Sequence, residues 1–229
     1  MKKVLLMPVL ATALLVAACG DSDPTDTDTG AQVRFFNVAW NATGNIGFTT
    51  NGQFATGSAL AYAQSSQTCS RIDAGTTTFG IGVANSGGTA LSGNTIVTLD
   101  NQNIAAGGNY TVLAGGNVIH PSVVLLDNKF SGTLGANQAA VRFVNLAAGS
   151  EFPFDVLKGT TVVQTNLAFR AATPFSSVTS GSNVYSIMYG QEAAISGSDA
   201  TLNLQGGTVN TIVIVRNPLT GNFNLVNVP

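Results

Sequence analysis

The sequence predicts an all-β protein built from two antiparallel sandwiches in tandem, and three observations carry that prediction. One hexamer occurs twice, as Val33-Arg34-Phe35-Phe36-Asn37-Val38 and as Val141-Arg142-Phe143-Val144-Asn145-Leu146, and each copy opens roughly a hundred residues of strand-like sequence. Short runs of alternating apolar and polar residues follow each copy, punctuated by Asn51-Gly52, Gly107-Gly108 and Gly206-Gly207. That is the period-two pattern of half-buried strands joined by tight turns. No window of about a dozen residues carries the 3.6-residue apolar repeat of a helix.

Composition agrees with this. Of 229 residues, 45% are hydrophobic and only 9% charged, against about 25% charged in a typical globular chain. Apolar material suffices for a core, and 26 glycines suit many turns. From residue 31 onward seven basic side chains face seven acidic ones, so the folded body is neutral. A nucleic-acid partner would need a basic footprint, and none exists.

In chain order, residues 1–18 read as a lipoprotein signal peptide. Lys2-Lys3 precede an apolar run from Val4 to Ala18, which is short of the roughly 20 residues of a membrane span. Leu15-Val16-Ala17-Ala18-Cys19 resembles a bacterial lipobox. That motif implies cleavage before Cys19, lipidation of its sulfur and attachment to the membrane through the N-terminal lipid. Gly20 rather than Asp follows the Cys, which implies the outer membrane rather than the inner one in a cell that has both. Residues 19–30 hold Asp21, Asp23, Asp26 and Asp28 with almost no apolar side chain, an acidic, extended tether. They lack the third acidic residue followed by Gly, and the bidentate Glu, of the helix-loop-helix calcium motif.

The first module spans residues 31–134, with strands expected over 32–39, 45–50, 58–63, 76–83, 94–99, 109–114 and 122–127. A small-residue junction, Gly132 to Gln138, ends it. The second module spans 139–229, with strands over 140–147, 153–158, 160–165, 183–189, 200–204, 208–216 and 222–228. Landmarks recur in order: Leu60-Ala61-Tyr62 with Leu167-Ala168-Phe169, Gly75 with Gly181, and Gly107-Gly108 with Gly206-Gly207. The fold expected is therefore two tandem immunoglobulin-like antiparallel β-sandwich modules.

The R-F-x-N opening strand, Asp155-Val156-Leu157 before Lys158-Gly159, and Asn166-Leu167-Ala168-Phe169 together resemble the DUF4397 family of bacterial envelope modules, which often occur in tandem. The resemblance covers 31–229 and is clearer in the second half. The first half departs from it, with Gly47 or Phe48 where the hairpin Asp would stand and an insertion around Ser86 to Thr95. The family implies a fold and no activity.

Candidate chemistry is sparse. His120 is the sole histidine, which removes His-rich zinc sites and leaves little for a Ser-His-Asp arrangement. No nucleotide or hydrolase motif is present, no metal set is expected, and no cofactor is called for. Cys69 reads as a small buried hydrophobe, with an intermolecular disulfide in an oxidising compartment as the alternative. Trp40 closes the first strand, where an aromatic could stack on a sugar ring, though packing at the rim is the commoner use. Arg142 and Asp155 are expected as a structural ion pair. The function expected is a non-enzymatic, lipid-anchored protein of the bacterial cell envelope that binds a polysaccharide or an envelope protein. The alternatives are a glycan hydrolase with its site between the modules and an accessory subunit of an envelope complex.

Overall fold

The computed structural model describes residues 30–39, 44–117, 120–147, 153–189, 194–195, 197–216 and 222–228. They form an all-β architecture of four sheets, and each sheet draws its strands from one half of the chain. In the first half, β1 (Gly30–Asn37), β4 (Gln64–Ser65), β5 (Ser70–Asp73), β8 (Asn109–Gly116) and β9 (Pro121–Asp127) make one sheet. Strands β2 (Ile46–Thr50), β3 (Gln53–Phe54), β6 (Gly75–Val83) and β7 (Val97–Ile104) make the sheet opposite.

The second half repeats the plan. Strands β10 (Gln138–Asn145), β13 (Ser176–Thr179), β16 (Val209–Arg216) and β17 (Phe223–Val228) form one sheet. Strands β11 (Phe154–Lys158), β12 (Thr161–Leu167), β14 (Gly181–Tyr189) and β15 (Ala200–Leu204) form the other.

Burial along each strand places the layers. Strands β7 and β15 alternate between covered and exposed residues, as a strand with one wet face must. Strands β8, β10 and β16 are buried at nearly every position, so their sheets are covered on both faces. Three apolar interlayers account for this. Val33, Phe35, Phe48, Phe79 and Val112 fill the first sandwich, and Val141, Phe154, Tyr185, Ile187 and Ile212 the second. Phe36, Val38, Leu113, Val144, Leu146, Val213 and Val215 fill a third layer, between the β1–β8–β9 sheet and the β10–β16–β17 sheet. The halves therefore press together through their hexamer strands. Gly115 permits the approach: a Cβ there would stand 2.7 Å from Leu146 Cβ.

Each half contains one parallel pairing amid antiparallel neighbours. β1 runs parallel to β8, with Arg34 opposite Thr111, and β10 runs parallel to β16, with Arg142 opposite Thr211. A parallel pair needs a long crossover, and the excursion through the opposite sheet supplies it.

The hexamer asparagines lock the crossover in the same way twice. Asn37 Nδ2 donates to the Leu60 carbonyl at 2.8 Å and its Oδ1 accepts from Ala39 N. Asn145 Nδ2 donates to the Leu167 carbonyl at 2.9 Å and its Oδ1 accepts from Ala147 N. Segment 58–63, expected as a strand, is instead this crossing. Leu60 makes an isolated bridge to Ile46, and Ala63 turns the chain at φ 59°, as Arg170 does at φ 67°. The hairpin at Asn51-Gly52 forms as expected, both residues holding positive φ.

Candidate functional site

The third interlayer is apolar at one end and polar at the other, and strand parity decides why. Val33 and Phe35 point into the first sandwich, so Arg34 points with Phe36 toward the second half. By the same alternation Val141 and Phe143 point into the second sandwich, and Arg142 points with Val144 toward the first half. Two guanidinium groups thus enter one layer, Arg34 at 8% exposure and Arg142 at 4%.

Arg142 is held on all sides. Its Nε donates to Thr211 Oγ1 at 2.9 Å, its Nη1 to the Asp127 carbonyl at 2.5 Å and its Nη2 to Asn128 Oδ1 at 2.6 Å. The Phe175 ring lies 4.5 Å from its carbon, braced edge-on by Phe130. Burial lowers its pKa to about 10 and the Asp127 charge opposes that fall, so it is protonated at neutral pH. Charge-assisted bonds to three oxygens offset the loss of water.

Beside this knot opens a cleft of about 550 Å³. The first half contributes Arg34, Asn109, Thr111 and Asn128 to its wall, and the second half Asn203, Gln205, Thr208, Asn210, Thr211 and Asn227. Burial lowers the Arg34 pKa, without approaching neutrality for a guanidinium. Asn128 forms the back wall, its Nδ2 donating to Asn109 Oδ1 and to Thr111 Oγ1, each at 2.9 Å. Asn227 Nδ2 donates to Asn210 Oδ1 at 3.3 Å, while its own Oδ1 is buried and accepts nothing. Among the described residues that line it there is no carboxylate and no imidazole, and those residues offer amide and hydroxyl hydrogen bonds around Arg34.

The residues singled out from sequence fall elsewhere. Cys19 and Trp40 lie outside the described residues. The expected Arg142–Asp155 pair is not formed. Asp155 sits between Phe154 and Val156, which face the second core, so its side chain leaves the opposite face of the outer sheet and accepts from Asn166 N at 2.7 Å. Arg142 leaves its own sheet away from that core, which puts two layers between them.

His120 is exposed in a turn, where its backbone N–H donates to Asn117 Oδ1. Cys69 is not the buried thiol expected: it is half-buried and disulfide-bonded. Among the described residues no group of three or more His, Cys, Asp or Glu is placed to hold a metal. Asn128, Thr211 and Asn227 were not singled out. Thr211 could have been found, since Thr111 and Thr211 stand at matching places in the penultimate strands, whereas nothing local marks Asn128.

The profile of the family described as "Domain of unknown function (DUF4397)" matches residues 31–152, just over half of the chain. The matched stretch takes in the first half and β10, and not the rest of the second half, where the resemblance was expected to be clearer. No curated protein matches the chain.

Proposed function

The chain belongs to the DUF4397 family, and from that premise we propose a lipid-anchored bacterial envelope protein whose tandem DUF4397-like modules bind a ligand without transforming it. Anchoring is supported by Leu15–Cys19 and by the acidic residues 21–28 that follow as a tether. Gly20 after the Cys favours the outer membrane where a cell has two. The tandem arrangement is supported by the recurring strand order and by the twin asparagine clamps.

The observation that carries the binding role is the cleft: neutral amides and hydroxyls around Arg34, with no carboxylate or imidazole among the described residues that line it. Such a wall suits a polar, hydroxylated ligand such as a polysaccharide segment. Full-length protein in detergent should bind a defined subset of a bacterial glycan array, and Asn203→Trp, which fills the exposed mouth, should abolish binding without lowering the melting temperature. Unchanged binding by that variant would move the site out of the cleft.

A second reading has its own support. Val162 and Val163 are exposed on edge strand β12, with Val184 exposed in the same sheet, which suits an envelope-protein partner adding to that edge. Capture of a partner that Val163→Lys abolishes and Asn203→Trp does not would favour it.

A further inference from the structure

Resting on the proposed anchor and on that binding reading, we infer that the cleft takes the saccharide headgroup of a glycolipid carried by the protein's own membrane. The two halves point the same way. Gly116 N donates to the Leu146 carbonyl at 3.1 Å where β8 and β10 end. The cleft lies at the opposite end, where β8 and β16 begin and where Asn109 and Thr208 line it. The proposed tether enters there too. Gly30, the first residue of β1, accepts from Gly107 N at 2.9 Å, and Gln32 N donates to the Gly108 carbonyl at 2.8 Å, one residue before Asn109. Cleft and tether root therefore share one end of the fold.

Connections at that end are short, residues 51–52, 105–108, 159–160 and 205–208, apart from the junction 128–137 between the halves. Longer ones, 84–96 among them, lie at the other end. Length decides which membrane the cleft meets. The stretch from Cys19 to Gly30 spans at most about 40 Å, and a strand of eight residues such as β1 adds about 27 Å beyond the root. The cleft reaches the surface of its own bilayer with slack in the tether, whereas a glycan on a facing surface meets the far end first. Asn203 and Gln205, both exposed, line the cleft with Thr208, and amides and hydroxyls both donate to and accept from sugar hydroxyls. A sugar held in the same bilayer meets them at an effective concentration of about 1 mM, so a few such bonds suffice.

The test is amide hydrogen exchange over residues 203–208, with full-length protein extracted from membranes and reconstituted into phosphatidylethanolamine–phosphatidylglycerol vesicles. Digalactosyldiacylglycerol is added either to the same vesicles or to separate vesicles without protein. In the same bilayer it should slow exchange there about tenfold. In separate vesicles it should not, and neither should the plain phospholipids. Free digalactose should give the same protection only at about 1 mM or above. Asn203→Trp should melt as the wild type does and lose the protection. Equal protection from separate vesicles, or from plain phospholipid, would overturn the inference. Protection by free digalactose with none from the lipid in the same bilayer would overturn it while sparing the binding reading. Absence of protection by the sugar in either form would overturn it too. Loss of all array binding would instead remove the reading beneath it, and a chain that does not float with the vesicles would remove the anchor.

Discussion

Asn128 accepts a hydrogen bond from Arg142 Nη2, in the second half of the chain, at 2.6 Å, while its own amide donates to Asn109 and Thr111 in the first. One side chain at the end of β9 therefore joins the cation of the second hexamer to the strand that pairs with the first. Arg142→Ala would strand the Asp127 carbonyl, Asn128 Oδ1 and Thr211 Oγ1 in a buried layer and leave a void under Phe175. A loss of about 2–4 kcal/mol is expected. Arg34→Ala, which opens onto the cleft and so onto water, should cost roughly 1 kcal/mol. Chemical denaturation of both variants checks this, and equal, near-zero losses would contradict the account of the polar layer.

The third apolar layer decides how the halves behave apart. A fragment of residues 139–229 retains its own core but uncovers Val144, Leu146, Val213, Val215 and Val228 on one sheet face. An exposed patch of that kind drives association. The fragment should show β-type circular dichroism yet elute as a dimer or larger, and Val213→Lys with Val215→Lys should return it to a monomer. A wild-type fragment that is monomeric and does not bind a hydrophobic dye would mean that the layer contributes little.

The twin clamps predict twin costs. Asn37 is 1% exposed and Asn145 is 0%, and each ties its strand end to a crossing carbonyl. Replacing either with Ala removes two hydrogen bonds and strands the same two backbone groups. Both variants should lose about 2–3 kcal/mol, equal within error. A difference of more than about 1 kcal/mol in urea titrations would mean that the matched geometry does not carry matched energy.

Gly47 occupies the ladder position of Asp155, since Gly47 pairs with Gly82 as Asp155 pairs with Met188. A Cβ on Gly47 would come within 2.4 Å of the Phe54 ring and 2.7 Å of Leu91. Leu91 belongs to the inserted segment between β6 and β7, which folds down over the glycines. Gly47→Asp, the change toward the second half, should therefore destabilise by roughly 2–3 kcal/mol. Leu91→Ala in the same chain should recover part of that loss, and no recovery would place the strain elsewhere.

Period-two patterning exposed the strands because each presents at least one face to a core, and the repeated hexamer exposed the strand at the centre of each half. What escaped depended on distance in sequence. Arg142 and Asp155 look adjacent along the chain, yet strand parity sends them to opposite sides of a sandwich. Segment 58–63 carries strand-like residues but turns at Ala63, whose left-handed backbone no apolar pattern announces. The cleft was illegible for the same reason: Arg34, Asn128 and Asn227 are brought together by the packing of two sheets. The parallel β1–β8 pairing was hidden as well, since hydrophobic alternation does not encode strand direction.

The two cysteines of the chain, Cys19 and Cys69, make competing claims on one sulfur. Cys69 is disulfide-bonded in the structure, and Cys19 is the other cysteine of the sequence. Lipidation converts the Cys19 thiol to a thioether, which cannot enter a disulfide. The proposed anchoring therefore predicts a redox consequence far from the N-terminus. In protein extracted from membranes, mass spectrometry should find acyl chains on Cys19, and Cys69 should take up maleimide without prior reduction. In protein exported behind a non-lipoprotein signal, with Cys19 retained, Cys69 should label only after reduction, and the bridge should raise the melting temperature by constraining the unfolded chain. Cys19→Ser should release the protein into the soluble fraction and leave Cys69 open to the reagent. A membrane-bound chain with unmodified Cys19 bridged to Cys69 would overturn the lipid anchor and require another means of retention.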